Sequence, residues 1–336
     1  MNPMTSILGR SQPREKYNIL CAPTHERYET GLAMTGHNFY AVRADGIKDW
    51  NTTYAPLPNN YILLDKNLGA SQLPTHIHFD FALSQNKFGQ YQLLKQFADR
   101  LHIPLISLEH TLPMPGWSPE VIQNLKKCSG DINVFISSFS INQWGYNEKH
   151  PSVCVVHHMV DTDVFVPGNN TRTPHILSVV NDWVNRDIFC NFKGWQRITQ
   201  GLPVRVVGDT PGLSKPAASV PELVSEYGNS LIFLNTSTVS PIPTALLEAM
   251  ACGCAVVSTA TCMIPEIIEN GVNGYISNDE RELRKIIEGL LQNPQKCAEL
   301  GHNARQTIQN SFSKNKFLNS WNRVFEIASS LPYIGG

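Results

Sequence analysis

No Gly-x-Gly triplet occurs anywhere in the 336 residues of this chain. A dinucleotide-binding turn needs that pattern after its first strand, because only glycine lets the backbone close onto a pyrophosphate there. The absence argues against a nicotinamide- or flavin-linked oxidoreductase. No run approaches the ~18 consecutive apolar residues of a membrane-spanning helix. The opening residues 1–18 (MNPMTSILGRSQPREKYN) lack the apolar core of a secretory leader. An excess of one charge is missing too: 27 Lys+Arg against 28 Asp+Glu leave a net charge of −1. Such a chain has no global field favouring nucleic acid or anionic lipid. The cysteines, at 21, 128, 154, 190, 252, 254, 262 and 297, show no zinc-site spacing, and Cys252-Gly-Cys254 has no second pair or nearby His. Most lie in apolar runs such as Ile19-Leu20-Cys21 and Val153-Cys154-Val155. Buried thiols of a reducing compartment fit that placement, and the expected location is cytoplasmic.

What is present is an alternation. Apolar, β-branched runs at Asn18–Ala22, Phe39–Arg43, Tyr61–Leu64, Ile77–Leu83, Pro104–Leu108, Ile132–Ile136 and Val153–Val156 read as strands. Helical patterns separate several of them, clearest at Gly89–Leu101 and Ser118–Lys127. Strands divided by helices predict a parallel sheet with right-handed crossovers. Residues 45–60, rich in Asp, Asn, Pro and Thr, read as a long loop. A linker is expected over 166–174 (VPGNNTRTP). A second α/β series begins at His175, with strands at Val204–Val207, Leu231–Leu234 and Ala255–Ser258 and helices over 279–291, 295–311 and 316–330. At this length two domains are expected. His76 and His78 fall on one face of the strand expected there, but no third metal ligand is identifiable. His157 and His158 point to opposite faces if extended.

The most informative stretch is 231–278 (LIFLNTSTVSPIPTALLEAMACGCAVVSTATCMIPEIIENGVNGYISN). Within it, Thr244–Cys252 reads as a helix that is apolar all round except at Glu248, hence buried. A buried carboxylate without donors costs several kcal/mol (order of magnitude), so Glu248 needs hydrogen-bond donors, from backbone amides or from a ligand. The strand–turn–helix–strand order puts the helix N-terminus at the carboxyl edge of a parallel sheet, where α/β folds bind ligands.

These residues resemble the donor-binding signature of GT-B-fold glycosyltransferases, in particular the retaining family 4 type (glycosyl transferases group 1). The TALLEAMACG helix and the run from Ile264 to Gly274 carry the likeness, and Val160–Phe165 (VDTDVF) resembles the family's exit from its first domain. The resemblance implies an α/β fold of two Rossmann-like domains with parallel sheets facing a central cleft. Their bounds would be an acceptor-side domain over 1–166 and a nucleotide-sugar-binding domain over 174–312. The segment 313–336 would be a helix returning to the first domain. It implies transfer of a sugar from a nucleoside diphosphate sugar (UDP- or GDP-sugar) to a hydroxyl acceptor, with retention, domain closure, no cofactor and no obligatory metal. The acceptor is left open among a glycan, a lipid-linked sugar, a protein and a modified nucleic acid.

The resemblance assigns Glu248 to the ribose hydroxyls. Arg186 and Lys193 stand where the family has a basic pair for the leaving diphosphate, but seven residues apart rather than five. Gly208 fits the strand-end turn near the phosphates. His110, ending the strand before Thr111-Leu112-Pro113, takes the place of a family His that contacts the donor sugar, with Glu109 beside it. One departure matters. Eight positions before Glu248 the family carries a second Glu for the donor sugar, followed by a glycine-rich turn; here Ser240 and Pro241-Ile242-Pro243 occupy those positions. Each proline removes a backbone donor, leaving Ile242 and Thr244 to offer amides to the diphosphate. Ser240 brings no charge, so the sequence decides neither the donor sugar nor the stereochemical outcome. Thr24–Glu29 replaces the family's first glycine-rich loop, with His25, Glu26 and Arg27 as candidates for an acceptor. Two alternatives stand beside transfer: a nucleotide-sugar-binding protein impaired in catalysis, and a sugar-nucleotide epimerase on the same scaffold.

Overall fold

A computed structural model describes residues 15–331 apart from 53, 169 and 170. The opening residues 1–14 and linker residues 169–170, on which expectations above depend, lie outside the described residues. The chain divides into two compact units, one reaching to His157 and resuming at Phe317, the other running from His158 to Lys316.

In the first unit the described elements are β1 (Asn18–Cys21), α1 (Glu26–Ala33), β2 (Asn38–Ala41), β3 (Tyr61–Leu63), β4 (Phe81–Ser84), α2 (Gln90–Leu101), β5 (Leu105–Glu109), α3 (Pro119–Lys126), β6 (Ile132–Phe135), α4 (Ser138–Gln143) and β7 (Val153–Val155). The strands pair in the order β3-β2-β1-β4-β5-β6-β7, and every pairing is parallel. Strands covered by helices on both faces bury nearly every side chain, which is why they read as continuous apolar runs rather than alternating ones. The winding direction reverses between β1 and β4, so the loops after these strands open the crevice in which doubly wound sheets hold ligands.

The second unit contains β8 (Thr173–Val179), α5 (Asp187–Cys190), α6 (Phe192–Thr199), β9 (Val204–Val207), α7 (Val220–Asn229), β10 (Ser230–Asn235), α8 (Thr244–Ala251), β11 (Ala255–Ser258), α9 (Ile264–Ile267), β12 (Tyr275–Ile276), α10 (Glu280–Leu291) and α11 (Pro294–Ser311). Its sheet is again parallel, in the order β12-β11-β10-β8-β9. Here the winding reverses between β8 and β10. The final helix, α12 (Lys314–Ser330), buries Phe317, Trp321 and Phe325. The Trp321 indole donates to the Tyr28 hydroxyl at 3.1 Å, and Phe325 stacks on Phe81 at 5.3 Å.

Three expectations need correction. The strand expected over 77–83 begins only at Phe81. Before it, the Ile77 amide turns back to Pro74 O and Asp80 accepts the Asn18 amide at 2.8 Å, so His76 and His78 share no strand face. The polar run 24–29 is not a loop, since α1 begins at Glu26. Within the second unit, Val160 donates to Phe312 O and Arg305 donates to Phe165 O and Thr162 O. Two-residue β12 has no counterpart among the expected strands.

Candidate functional site

At the carboxyl edge of the second sheet, three loops converge where the winding reverses. The loop after β10 is tied to α5 through the Thr238 amide on Phe189 O at 2.8 Å, the Thr238 hydroxyl on Ile188 O at 2.8 Å and the Thr236 hydroxyl on Cys190 O at 2.8 Å. The loop after β11 joins through Thr259 and Thr261, whose hydroxyls both donate to Ser237 O. These bonds bring the Arg186–Lys193 segment against the residues leading into Ser240 and α8.

The N-terminus of α8 is open. Its N-cap is Pro243, no side chain caps it, and the amides of Ile242 and Thr244 have no acceptor among the described residues. Uncapped amides at a helix start carry partial positive charge and suit an anion. The Met263 amide donates to Pro241 O at 3.4 Å, bracing the double-proline turn. Ser240 is half-buried.

Glu248 sits one turn into α8, 4% exposed. One donor comes from neither a backbone amide nor a ligand: the fully buried Tyr227 hydroxyl donates to Glu248 Oε2 at 3.0 Å. Tyr227 lies in the last turn of α7 and escaped the sequence reading. Its only signal there is that a buried phenol needs a partner.

The basic pair is differentiated. Arg186 is exposed, with one guanidinium nitrogen 3.4 Å from Asn181 O. Lys193 is also exposed, but its ammonium lies 3.6 Å from Asp187 Oδ2, and Asp187 Oδ1 accepts the Lys193 amide at 2.9 Å. Lys193 thus arrives with a counter-charge, and Arg186 has none among the described residues. Gly208 adopts φ +129°, and a Cβ there would run into Val180 O. Its amide donates to Lys215 O at 3.0 Å. Gly208 therefore supplies a tight turn, and its N–H is not available to a phosphate.

At the carboxyl edge of the first sheet, Glu109 and His110 depart to opposite sides. Glu109, 1% exposed, accepts the Thr111 amide at 2.9 Å and the Thr111 hydroxyl at 2.7 Å on Oε1. Its Oε2 is buried with no partner among the described residues. Burial pushes this carboxyl above its usual range, against the Thr111 bonds and the charge of Lys87. His110 turns toward α1: Nε2 lies 3.3 Å from Gln85 Oε1, and the ring meets the edges of Tyr28 at 4.6 Å and His25 at 5.2 Å. Of the three acceptor candidates, Glu26 is committed. It is buried, paired with Lys48 at 2.7 Å and bonded to the Asn51 amide at 3.0 Å. His25 and Arg27 are exposed.

Among the described residues no group of three or more His, Cys, Asp or Glu side chains is placed to hold a metal ion. No described helix is long and apolar enough to cross a membrane. Burial raises the Cys252 and Cys254 thiols, and Cys254 donates to Tyr227 O at 3.1 Å. That pair is part of the packing.

Residues 216–307 match the family described as glycosyl transferases group 1. The solved structure of Anabaena HepE in complex with UDP superposes with a TM-score of 0.72 at 15% identity, covering 93% of this chain and 100% of that one. Sucrose-phosphate synthase from Thermosynechococcus elongatus gives 0.69 at 12% identity, covering 93% and 99%. These likenesses show the fold, which is GT-B. Among curated proteins, alpha-maltose-1-phosphate synthase of Mycobacterium tuberculosis is 31% identical over 90 residues, 24% of this chain and 23% of that protein. N-acetyl-alpha-D-glucosaminyl L-malate synthase of Bacillus anthracis is 29% identical over 82 residues, 24% and 22% of the two chains. The aligned part thus spans less than a quarter of either curated relative.

Proposed function

We propose that this protein transfers a sugar from a nucleoside diphosphate sugar to a hydroxyl acceptor, and that the second unit holds the donor. The observation that carries the reading is the uncapped start of α8, with the Ile242 and Thr244 amides open one turn from the buried carboxylate of Glu248. The amides and Arg186 take the diphosphate, and Glu248, steadied by Tyr227, takes the ribose hydroxyls. Charge developing on the leaving diphosphate is met by preorganised donors, with Lys193 weaker because Asp187 shares its charge. His110 of the first unit is assigned to the transfer step. UDP is the first nucleotide to try, since the Anabaena HepE structure was solved with it. The reading uses no metal and no cofactor, and the buried thiols fit a cytoplasmic setting.

The test is a donor screen that follows release of free nucleoside diphosphate from several nucleotide-sugars, with Glu248→Ala alongside. Release by the wild type, lost in the variant, supports the reading. Ser240 favours a second reading, because a neutral hydroxyl stands where the related enzymes place a carboxylate at the donor sugar. That reading is donor binding without transfer, and it is supported if calorimetry detects binding while no donor is turned over.

A further inference from the structure

Behind His110 lies a polar chain closed off from solvent. Glu29 on α1 is 0% exposed and Gln85, just after β4, 1% exposed. Glu29 Oε1 accepts from the Tyr61 hydroxyl at 2.7 Å and from Gln85 Nε2 at 2.8 Å, and the Thr24 amide approaches its two oxygens at 3.2 and 3.1 Å. The other end of the Gln85 amide, Oε1, faces His110 Nε2 at 3.3 Å. Gln85 is itself held in place: its backbone N–H donates to Gln90 Oε1 at 2.5 Å, and Gln90 Nε2 donates to the Thr24 hydroxyl at 2.7 Å.

The direction of these bonds is not free. An ionised carboxylate only accepts, so it must face the amide nitrogen of Gln85, which leaves the amide oxygen for His110. That oxygen also only accepts, so His110 Nε2 carries the hydrogen and Nδ1 becomes the basic nitrogen. We propose that Glu29, acting through Gln85, is the positioning residue that sets the ring orientation and tautomer of His110. Protonating Glu29 reverses the chain: the acid donates to the Gln85 oxygen, the amide turns over, and its NH₂ meets His110 Nε2, which then accepts. Burial raises Glu29 to about 7, against the bonds from Thr24, Tyr61 and Gln85, with Glu26 adding to the rise. The titratable groups around the chain are Glu26 with its Lys48 partner, Cys21 on β1, Tyr61 on β3, and His25 and Tyr28 against the His110 ring.

The role of His110 in transfer rests on the reading above; the relay is tested without it. Protein labelled with ¹⁵N-imidazole histidine is titrated by NMR, with the His110 signals assigned from His110→Ala. In the wild type, His110 is expected in the Nε2–H form at pH 8, changing with a midpoint near the Glu29 value of about 7. Tyr61→Phe, which removes a bond to the charged carboxylate while keeping the ring, moves that midpoint to higher pH. Glu29→Gln and Gln85→Leu each abolish the transition. Wild-type His110 in the Nδ1–H form at pH 8, or a midpoint indifferent to Tyr61→Phe, overturns the relay. Should Glu29→Gln fail to fold, Tyr61→Phe still decides. Turnover separates the two claims: Glu29→Gln lowers kcat about tenfold or more with nucleoside diphosphate affinity unchanged. Full activity in His110→Ala removes the catalytic reading and leaves the spectroscopic result standing.

Discussion

Glu248 offers the sharpest test of the donor site. Hydrogen bonds to a charged group contribute about 1.5–3 kcal/mol each, so two ribose hydroxyls on one carboxylate would be worth roughly 3–6 kcal/mol. The lower end applies, because Tyr227 already donates to Oε2 at 3.0 Å and the ribose must share that oxygen. At 1.4 kcal/mol per tenfold, Glu248→Ala should weaken nucleoside diphosphate binding about 100-fold. Calorimetry with UDP and with 2′-deoxy-UDP makes a double-mutant cycle. Removing the 2′-hydroxyl should cost the wild type about tenfold and the alanine variant almost nothing. Tyr227→Phe adds a control, since it should loosen UDP binding several-fold while a buried phenylalanine keeps the packing. Equal penalties for the deoxy ligand in wild type and Glu248→Ala would refute the contact. They would leave Glu248 as a structural partner of Tyr227.

Arg186→Ala should reduce turnover by at least tenfold with little effect on binding of the unphosphorylated nucleoside, because its partner is leaving-group charge. Lys193→Ala should do the same more weakly, since Asp187 holds its ammonium at 3.6 Å; wild-type rates in both variants sink the diphosphate assignment. His110→Ala should lower the transfer rate by about 10²–10⁴-fold if the ring moves a proton, and by less if it only orients the sugar, measured at saturating donor. The stability of the fold should also carry the signature of Glu29. Its native value of about 7 exceeds its ordinary 4.5, so between those pH values the native state holds a proton that the unfolded chain has lost. Its contribution is therefore fully present below pH ~4.5 and declines until pH ~7. Glu29→Gln should flatten the thermal-melt profile over that window, and an unchanged slope would place the Glu29 titration elsewhere.

How much of this was legible in the sequence follows from what an apolar run records, which is burial and not hydrogen-bond pairing. The central strands were readable because a parallel sheet covered on both faces buries every residue, as in β5 and β10, which are buried throughout. The same logic overreached at 77–83, where Ile77 and Phe79 are packed but the backbone turns before joining the ladder. It failed in the opposite sense at α1. Two of the buried residues of that helix are Glu26 and Glu29, and carboxylates on the buried face erase the amphipathic pattern from which a helix is recognised. What made α1 unreadable is also what makes it interesting, since a buried charge persists only where other groups are arranged around it. The Glu248 helix was readable for the converse reason: one carboxylate in an otherwise apolar segment stands out. Its partner did not, because Tyr227 lies 21 residues earlier in a helix whose own pattern says nothing about it. Lys193 shows the remaining limit. Sequence spacing could nominate it as a phosphate ligand, but only the turn of α5 reveals that Asp187 reaches it first.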